Sequence, residues 1–269
     1  MILQPVDPAR ALPLRDRDAK APKGLPNGEE LKRRLGQELE RLTALQAAFY
    51  ADQRRALLVV LQGRDASGKD GTIRTVFGAC NPQGCQITGF KAPTPHELAH
   101  DYLWRVHQAV PPRGMIGIFN RSHYEDVLVV RVKELVERRT WRQRYRQIND
   151  FERMLSENGV VILKFFLHIS RDEQREQFLE RLTDPTKNWK FRAGDLDDRA
   201  LWGDYTRAYR DALRKCSTPW APWYLVPSDS RTVRNYLVTR IINDTLTRLR
   251  PQYPRAPREI LALKSRLRA

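Results

Sequence analysis

The segment from Gly63 to Gly71, with the sequence GRDASGKDG, has the residue types and the spacing to bind phosphate groups. It matches the pattern G-x-x-x-x-G-K through Gly63, Gly68 and Lys69. The apolar run 56–62 precedes it and a helical stretch beginning at Lys69 follows, which is the strand–loop–helix context that the pattern needs. Its glycines let the backbone N–H groups turn towards phosphate oxygens, and Lys69 adds a full positive charge. The pattern therefore predicts a phosphate-binding loop.

The loop departs from the common pattern at Asp70, where a nucleotide hydrolase carries the Ser or Thr that holds Mg²⁺. A second acid, Asp65, lies inside the loop. A carboxylate in an anion-binding loop is costly unless a cation accompanies it, so we expect Asp65 to bind Mg²⁺, with Mn²⁺ as the alternative ion. The competing interpretation is a turn-forming Asp65 bonded to its own backbone. We expect Asp70 to complement the positive end of the helix that follows.

A second polar cluster, Asn120 to Asp126, follows the apolar run 115–119. Phosphate-loop enzymes place an acid at this strand end to orient magnesium, so Asn120 and Glu125 are candidate metal ligands. Arg121 has the fork geometry to bind a phosphate through two hydrogen bonds. The cluster also fits a capped helix start through Ser122 and Glu125, and both interpretations are compatible. We interpret His123 as structural in preference to a general base.

Two further segments have features of substrate-binding regions. In nucleotide kinases, a segment like that from Gly89 to Arg105 holds the acceptor nucleotide, with Phe90 offering a ring for stacking and Arg105 a phosphate ligand. The alternative is that Phe90 belongs to the core and Arg105 to the surface. The cationic segment 181–190, broken by a proline, suits a mobile lid that closes over phosphates. The alternative is that the cations of this segment form an ordinary solvent-exposed surface without a role in binding.

The hydrophobic pattern predicts an α/β fold in which strands alternate with helices. Strands are predicted at 56–62, 84–88, 115–119, 160–168 and 223–226, and helices at 29–50, 69–79, 95–109, 125–138, 141–157, 171–182, 197–215 and 230–249. Such a pattern implies a mainly parallel sheet with helices on both faces, and ligands beyond the carboxyl ends of its strands. Residues 1–28 contain five prolines and read as an extended arm outside the core, after which Asn27-Gly28 opens the first helix. Residues 29–250 form the predicted domain, with the lid at about 181–200, and 251–269 a basic tail with a short peripheral helix.

Charge is the unusual feature of the composition. The chain has 269 residues, and 48 Lys plus Arg against 32 Asp plus Glu give a net charge of +16. This excess favours a polyanionic partner, namely nucleic acid, anionic lipid or inorganic polyphosphate, and the sign alone does not choose among them. The three cysteines, Cys80, Cys85 and Cys216, suggest reduced thiols and not a disulfide framework. Without an apolar leader or a membrane-length run, we expect a cytoplasmic protein.

At these motifs the sequence resembles the polyphosphate kinase 2 family. The matching strings are Gly63 to Gly71, Asn120 to Asp126, Pro93 to Glu97 with Leu103 to Arg105, and Asp184 to Lys190. The resemblance implies a three-layer α/β/α, P-loop kinase-like fold with a helical lid. It also implies Mg²⁺-dependent transfer of the terminal phosphoryl group of inorganic polyphosphate to a nucleotide, without a phosphoenzyme. Assembly as a dimer or tetramer is a further implication, and neither nucleic acid nor membrane is expected as a partner.

The resemblance places polyphosphate contacts on Asp65, Ala66, Gly68, Lys69, Arg121 and Arg181, and the predicted site also includes Arg64, Ser67, Lys187 and Lys190. Catalysis is assigned to Asp65, Lys69, Arg121 and Arg181. The predicted nucleotide site comprises Gly89, Phe90, Lys91, Arg105, Asn120, Arg121 and Glu125. Many members carry Asp at the position of Asn120 and Asn at that of Glu125. The Asn120 with Glu125 combination resembles the subgroup that accepts both AMP and ADP.

Two competing functions remain open at this point. An ATP-dependent nucleoside or nucleotide kinase shares the expected fold, although the Lys69-Asp70-Gly71 sequence argues against it. The second alternative is a non-catalytic protein that binds nucleic acid through its net positive charge. Against it, the sequence has neither zinc-finger spacing nor an RNA-recognition aromatic motif.

Overall fold

The sheet of this protein is fully parallel. The structure is a computed structural model that describes residues 3–26, 28–264 and 266–268. In that part of the chain five strands form one sheet in the order β2-β3-β1-β4-β5. The strands are β1 (Ala56–Gln62), β2 (Cys85–Gly89), β3 (Ile116–Asn120), β4 (Val160–His168) and β5 (Trp223–Pro227). The predicted parallel α/β architecture is confirmed, and each strand lies within one residue of its predicted bounds.

Helices cover both faces of this sheet. They are α1 (Gly28–Asp52), α2 (Lys69–Val76), α3 (Pro95–Leu98), α4 (Trp104–Gln108), α5 (Val129–Val132), α6 (Arg138–Glu157), α7 (Arg171–Thr183), α8 (Gly194–Ala200), α9 (Trp202–Cys216), α10 (Arg231–Leu249) and α11 (Arg258–Ala262). Leu42 of α1 and Leu237 of α10 lie in the core on one face, whereas Ile148 of α6 and Leu213 of α9 lie in the core on the other. The three-layer α/β/α arrangement is therefore confirmed.

The central strand explains where ligands bind. All seven residues of β1 are buried, as expected of a strand covered on both faces. It pairs with β3 on one side and β4 on the other, and Leu61 stands opposite Asn120. The loop after β1 and the polar cluster after β3 therefore leave the same edge of the sheet side by side.

Three predicted helices are interrupted in the structure. The range 95–109 contains α3 and α4, and the Asp101 carboxylate between them accepts a hydrogen bond from Leu103 N, which competes with helical bonding. The range 125–138 contains the end of a 3₁₀ turn, His123–Val127, and the short α5, after which Glu134 has φ +51°. The range 197–215 contains α8 and α9.

The N-terminal arm contributes to the core, so the expectation that it lies outside the core is wrong. Leu14 is 5% exposed and Ala19 fully buried, and Val6 N donates to Trp223 O at 2.7 Å. The prolines prevent regular structure along the arm but do not prevent its apolar side chains from packing. The proposed role of Asn27 at the start of α1 falls outside the described residues.

The C-terminal tail carries the predicted peripheral helix as α11, whose five residues are all exposed. Among the described helices, none is both long enough and apolar enough to cross a membrane.

Candidate active site

The loop between β1 and α2 has the conformation of a phosphate-binding loop. Gly68 adopts φ +93° and Ala66 φ +65°, and the first helical residue is Lys69. The Lys69 ammonium donates to the carbonyl oxygens of Gly63 at 2.7 Å and Arg64 at 3.1 Å. The lysine thus crosses the inside of the loop, and its charge lies where an anion bound to the loop N–H groups would meet it.

Burial destabilises the charged form of Lys69 relative to an exposed lysine in the free protein. Its side chain is 9% exposed, and burial, aided by the nearby Arg121 cation, lowers the Lys69 pKa to about 8. Asp65, Glu125 and Asp70 oppose this shift but do not cancel it. An anion in the loop would stabilise the charged form, so binding of phosphate and protonation of Lys69 are coupled.

A pH dependence of substrate capture follows from this coupling. Only protonated Lys69 attracts phosphate, so we expect kcat/KM for the phosphate donor to fall by up to about tenfold per pH unit above pH 8. At saturating donor, kcat should fall only at higher pH, because the bound anion raises the Lys69 pKa. In a Lys69→Arg variant that retains activity, kcat/KM for the phosphate donor should not fall above pH 8, because arginine stays protonated. A wild-type kcat/KM that stays level from about pH 7 to about pH 9.5 would contradict the role of Lys69.

Arg121 joins the two carboxylates of the site. Its guanidinium lies 3.0 Å from Asp65 Oδ1 and 3.8 Å from Glu125 Oε2. Burial lowers the Arg121 pKa, but Glu125 and Asp65 more than offset this, so its pKa lies above the usual value. Arg121 also has φ +63°, which is uncommon for a residue with a side chain and occurs most often at functional sites.

A buried charge network holds Arg121 and Glu125 in place. Glu152 of α6 is 1% exposed and bonds to His123 Nε2 at 3.1 Å, Tyr124 Oη at 2.9 Å and Lys164 Nζ at 2.5 Å. Burial raises the Glu152 pKa, but Lys164 and His123 more than offset this and hold it below its usual value. The 3₁₀ turn after Arg121 is thereby fixed to α6 and β4. These contacts place His123 in a structural position.

A divalent cation fits part of the predicted metal site. Asp65 and Glu125 line one cleft with Arg121 between them, whereas the Asn120 amide donates to Asp70 Oδ1 at 2.7 Å. Among the described residues, no three His, Cys, Asp or Glu side chains cluster as a complete metal site. Mg²⁺ usually takes one or two carboxylates and completes its shell with water and substrate phosphates. Asp65 and Glu125 satisfy that requirement. Asn120, the third predicted ligand, bonds to Asp70 instead of joining these two acids.

Arg64 is a buried cation of the same cleft. Its side chain donates to Thr206 Oγ1 at 2.6 Å, and its guanidinium lies 4.0 Å from the centre of the Trp202 ring. Two of its nitrogens, Nε and Nη1, are buried without a hydrogen-bond partner, and burial lowers its pKa to about 10. Within the described chain no carboxylate pairs with it. Arg64 therefore offers the cleft a cation that no ion pair within the described chain neutralises.

The predicted acceptor residues lie around β2 and α4. Phe90 is 6% exposed and packs edge-on against Phe119, with the ring centres 4.8 Å apart. Arg105 lies over the Phe90 ring, with its guanidinium carbon 5.4 Å from the ring centre, and donates to Lys91 O at 3.0 Å, while Gly89 is exposed at the strand end. Phe90 is a core residue in this arrangement, and stacking on a base would require repacking. The acceptor role of this group stays a prediction.

Two of the predicted lid cations pair with acids on the lid segment or directly before it. Lys187 bonds to Glu180 and Asp184 at 2.7 Å each, and Arg181 lies 3.7 Å from Asp195. Lys190 is exposed, with its ammonium 5.1 Å from the centre of the Trp189 ring. None of the three lines the cleft, so their phosphate contacts stay predictions that require the segment to move.

Sequence reasoning missed one wall of the cleft. Trp202, Tyr205 and Tyr209 of α9 line it, together with Gln174, whose amide donates to Asp65 O at 3.0 Å. The signal was present, because aromatic residues at positions 202, 205 and 209 share one face of a helix.

Comparison with known proteins identifies the family. Residues 27–254 match the family model described as polyphosphate kinase 2 (PPK2). The chain belongs to the PPK2 family. It is 58% identical over 214 residues to the AMP/ADP-polyphosphate phosphotransferase of Meiothermus ruber, with 80% of each chain covered. It is 44% identical over 249 residues to the ADP-polyphosphate phosphotransferase of Rhodopseudomonas palustris, with 87% of this chain and 86% of the relative covered.

A solved structure supports the same assignment. Polyphosphate kinase 2 from Arthrobacter aurescens TC1 superimposes with a TM-score of 0.92 at 39% identity, covering 98% of this chain and 95% of that one. The resemblance inferred from the motifs is thereby confirmed.

Proposed function

We propose that this PPK2 protein transfers the terminal phosphoryl group of inorganic polyphosphate to AMP and to ADP. One observation carries the proposal: the phosphate-binding loop, which holds the buried cation Lys69, borders a cleft lined by the cations Arg64 and Arg121 and by three acids, Asp65, Glu125 and Asp198. Among the described residues no carboxylate forms an ion pair with Arg64, and burial lowers the pKa of both Arg64 and Lys69, so a ligand with dense negative charge would stabilise both cations. Family membership supports the choice of polyphosphate as that ligand.

The chemistry follows from charge. A nucleotide phosphate and a polyphosphate end repel each other, so the site must supply cations before they can approach. Lys69 and Arg121 would neutralise charge on the transferred group, which is the main catalytic requirement of phosphoryl transfer. The loop N–H groups would orient the chain end, and Arg64 would hold the next phosphate units. We propose direct transfer without a phosphoenzyme.

The cation of the site is Mg²⁺ in this proposal, with Mn²⁺ as the alternative. Asp65 and Glu125 would hold it, and Arg121 would turn from Asp65 to phosphate. When bound, the ion supplies charge neutralisation at the reacting phosphates. The protein's own groups position both substrates.

The choice of AMP and ADP as acceptors rests on two observations. The Meiothermus ruber relative, 58% identical, is named for both nucleotides, and the Rhodopseudomonas palustris relative, 44% identical, is named for ADP. Asn120 binds Asp70, so within the cluster from Asn120 to Asp126 it is Glu125 that pairs with Arg121, beside Asp65 from the loop. We propose that this placement leaves room for either acceptor. We further propose that residues 181–200 act as a lid over the site. We also propose that the protein forms a homo-oligomer in the cytoplasm and has no nucleic-acid partner.

Purified protein, Mg²⁺ and one sole phosphoryl donor test this function. With polyphosphate and AMP we expect ADP to appear first and ATP after it, and with ADP we expect ATP directly. ATP as sole donor to AMP should give a far lower initial rate than polyphosphate. Transfer from ATP alone would favour an ATP-dependent kinase and contradict the proposal.

A further inference from the structure

Arg234 of α10 is a buried cation pressed against the back of the phosphate-binding loop. Its side chain is 4% exposed. Its Nε donates to Thr72 Oγ1 at 2.8 Å, and its Nη1 donates to Ser67 O at 3.4 Å. The guanidinium thus joins α10 to the loop and to the first turn of α2, although it lies 162 residues from Thr72 in the sequence.

The loop is shaped around this side chain. A Cβ at Gly68 would lie 2.1 Å from Arg234 Nη1, and one at Gly71 would lie 3.4 Å from Nη2. The glycine of the motif therefore does more than permit φ +93°, because its missing side chain leaves the space that the guanidinium fills.

The charge of Arg234 has no acidic partner among residues 3–26, 28–264 and 266–268. Its hydrogen-bond acceptors there are neutral: the Thr72 hydroxyl, the Asn235 amide and the Ser67 carbonyl. Burial, with a smaller contribution from Arg231, lowers its pKa to about 10. A buried cation without a counter-charge is unfavourable in the free protein, and a nearby bound anion would relieve that cost.

We propose that Arg234 is a positioning residue of the phosphate site, fixing the Ser67–Gly68 peptide from behind and supplying charge that bound polyphosphate balances. This inference rests on the proposed function. Because Arg234 holds the Ser67 carbonyl on its own side, the N–H groups of the loop remain available to phosphate on the other. Its role differs from that of Lys69, which lies inside the loop.

Binding of inorganic tripolyphosphate to the full-length protein tests the proposal without relying on turnover. The affinity is measured by calorimetry with Mg²⁺ present, without nucleotide and at several salt concentrations. We expect Arg234→Met to raise Kd about tenfold and to reduce the slope of log Kd against log salt concentration by about one. Arg234→Lys should keep the slope but still weaken binding, because an ammonium lacks the fork that bonds both Thr72 and Ser67.

Arg248→Met is the matched control, since Arg248 lies at the far end of α10 and donates to Thr245 at 3.1 Å. The Kd of the Arg248→Met variant for tripolyphosphate should equal that of the wild type. If Arg234→Met does not fold, the Arg234→Lys variant tests the positioning role by itself. Its kcat/KM for polyphosphate should fall below that of the wild type, while its KM for AMP should stay the same. Folded Arg234 variants with the wild-type Kd and salt slope would overturn the inference. Wild-type protein that fails to bind tripolyphosphate would instead contradict the proposed function.

Discussion

Replacing Lys69 with alanine should reduce kcat/KM for polyphosphate by about 10³-fold. The ammonium crosses the inside of the loop, 2.7 Å from Gly63 O, and no lysine is among the described residues that line the adjoining cleft. Its loss would leave bound phosphate facing two carbonyl oxygens that Lys69 now covers. Initial rates measured against polyphosphate concentration, with AMP saturating, give kcat/KM for the wild type and for Lys69→Ala.

Lys32→Ala is the control for this change, because Lys32 is an exposed residue of α1 paired with Glu29. It removes the same charge and should keep the wild-type kcat/KM. Equal activity of Lys69→Ala and wild type would refute the assignment of the loop as the phosphate site.

Changing Asp65 to asparagine should lower kcat by about 10²-fold and shift the Mg²⁺ dependence to higher concentrations. The substitution keeps the size of the side chain but removes a charge that the cation and Arg121 both need. Arg121, 3.0 Å from Asp65 Oδ1, would lose one of its two acidic partners. The measurement is the rate of ADP formation from polyphosphate and AMP across a Mg²⁺ titration.

Asp150→Asn is the matched variant, since Asp150 is exposed on α6 and pairs with Arg153 at 3.4 Å. We expect it to follow the wild-type titration. An Asp65→Asn protein with an unchanged rate and an unchanged Mg²⁺ dependence would show that Asp65 holds no metal and is only a turn residue.

The fold was largely predictable because its signals are local in the sequence. The buried apolar run of β1 and the spacing of Gly63, Gly68 and Lys69 place the loop, and alternation of strands and helices gives the parallel sheet. Local signals also misled. The range 125–138 reads as one helix, but Glu134 has φ +51° and the chain turns there. Proline-rich residues 1–28 read as an arm outside the core, yet Leu14 packs into the core.

The site was only partly predictable because some of its contacts join distant residues. Asp65 and Arg121 were each predicted as site residues, and their contact follows from adjacent strand ends in a parallel sheet. Arg234 carries no motif, and its position against Gly68 depends on how α10 packs on α2. The aromatic wall at Trp202 and Tyr209 likewise depends on the packing of α9. Sequence patterns identify elements, but these side chains become part of the site only through tertiary packing.

Transfer of label from polyphosphate is the most direct test of the central claim. Polyphosphate labelled with ³²P and unlabelled AMP are incubated with the protein and Mg²⁺, and a parallel reaction replaces polyphosphate by γ-labelled ATP. We expect label in the β-phosphate of ADP, at a much higher initial rate from polyphosphate than from ATP. Label that reaches ADP only from ATP would contradict it.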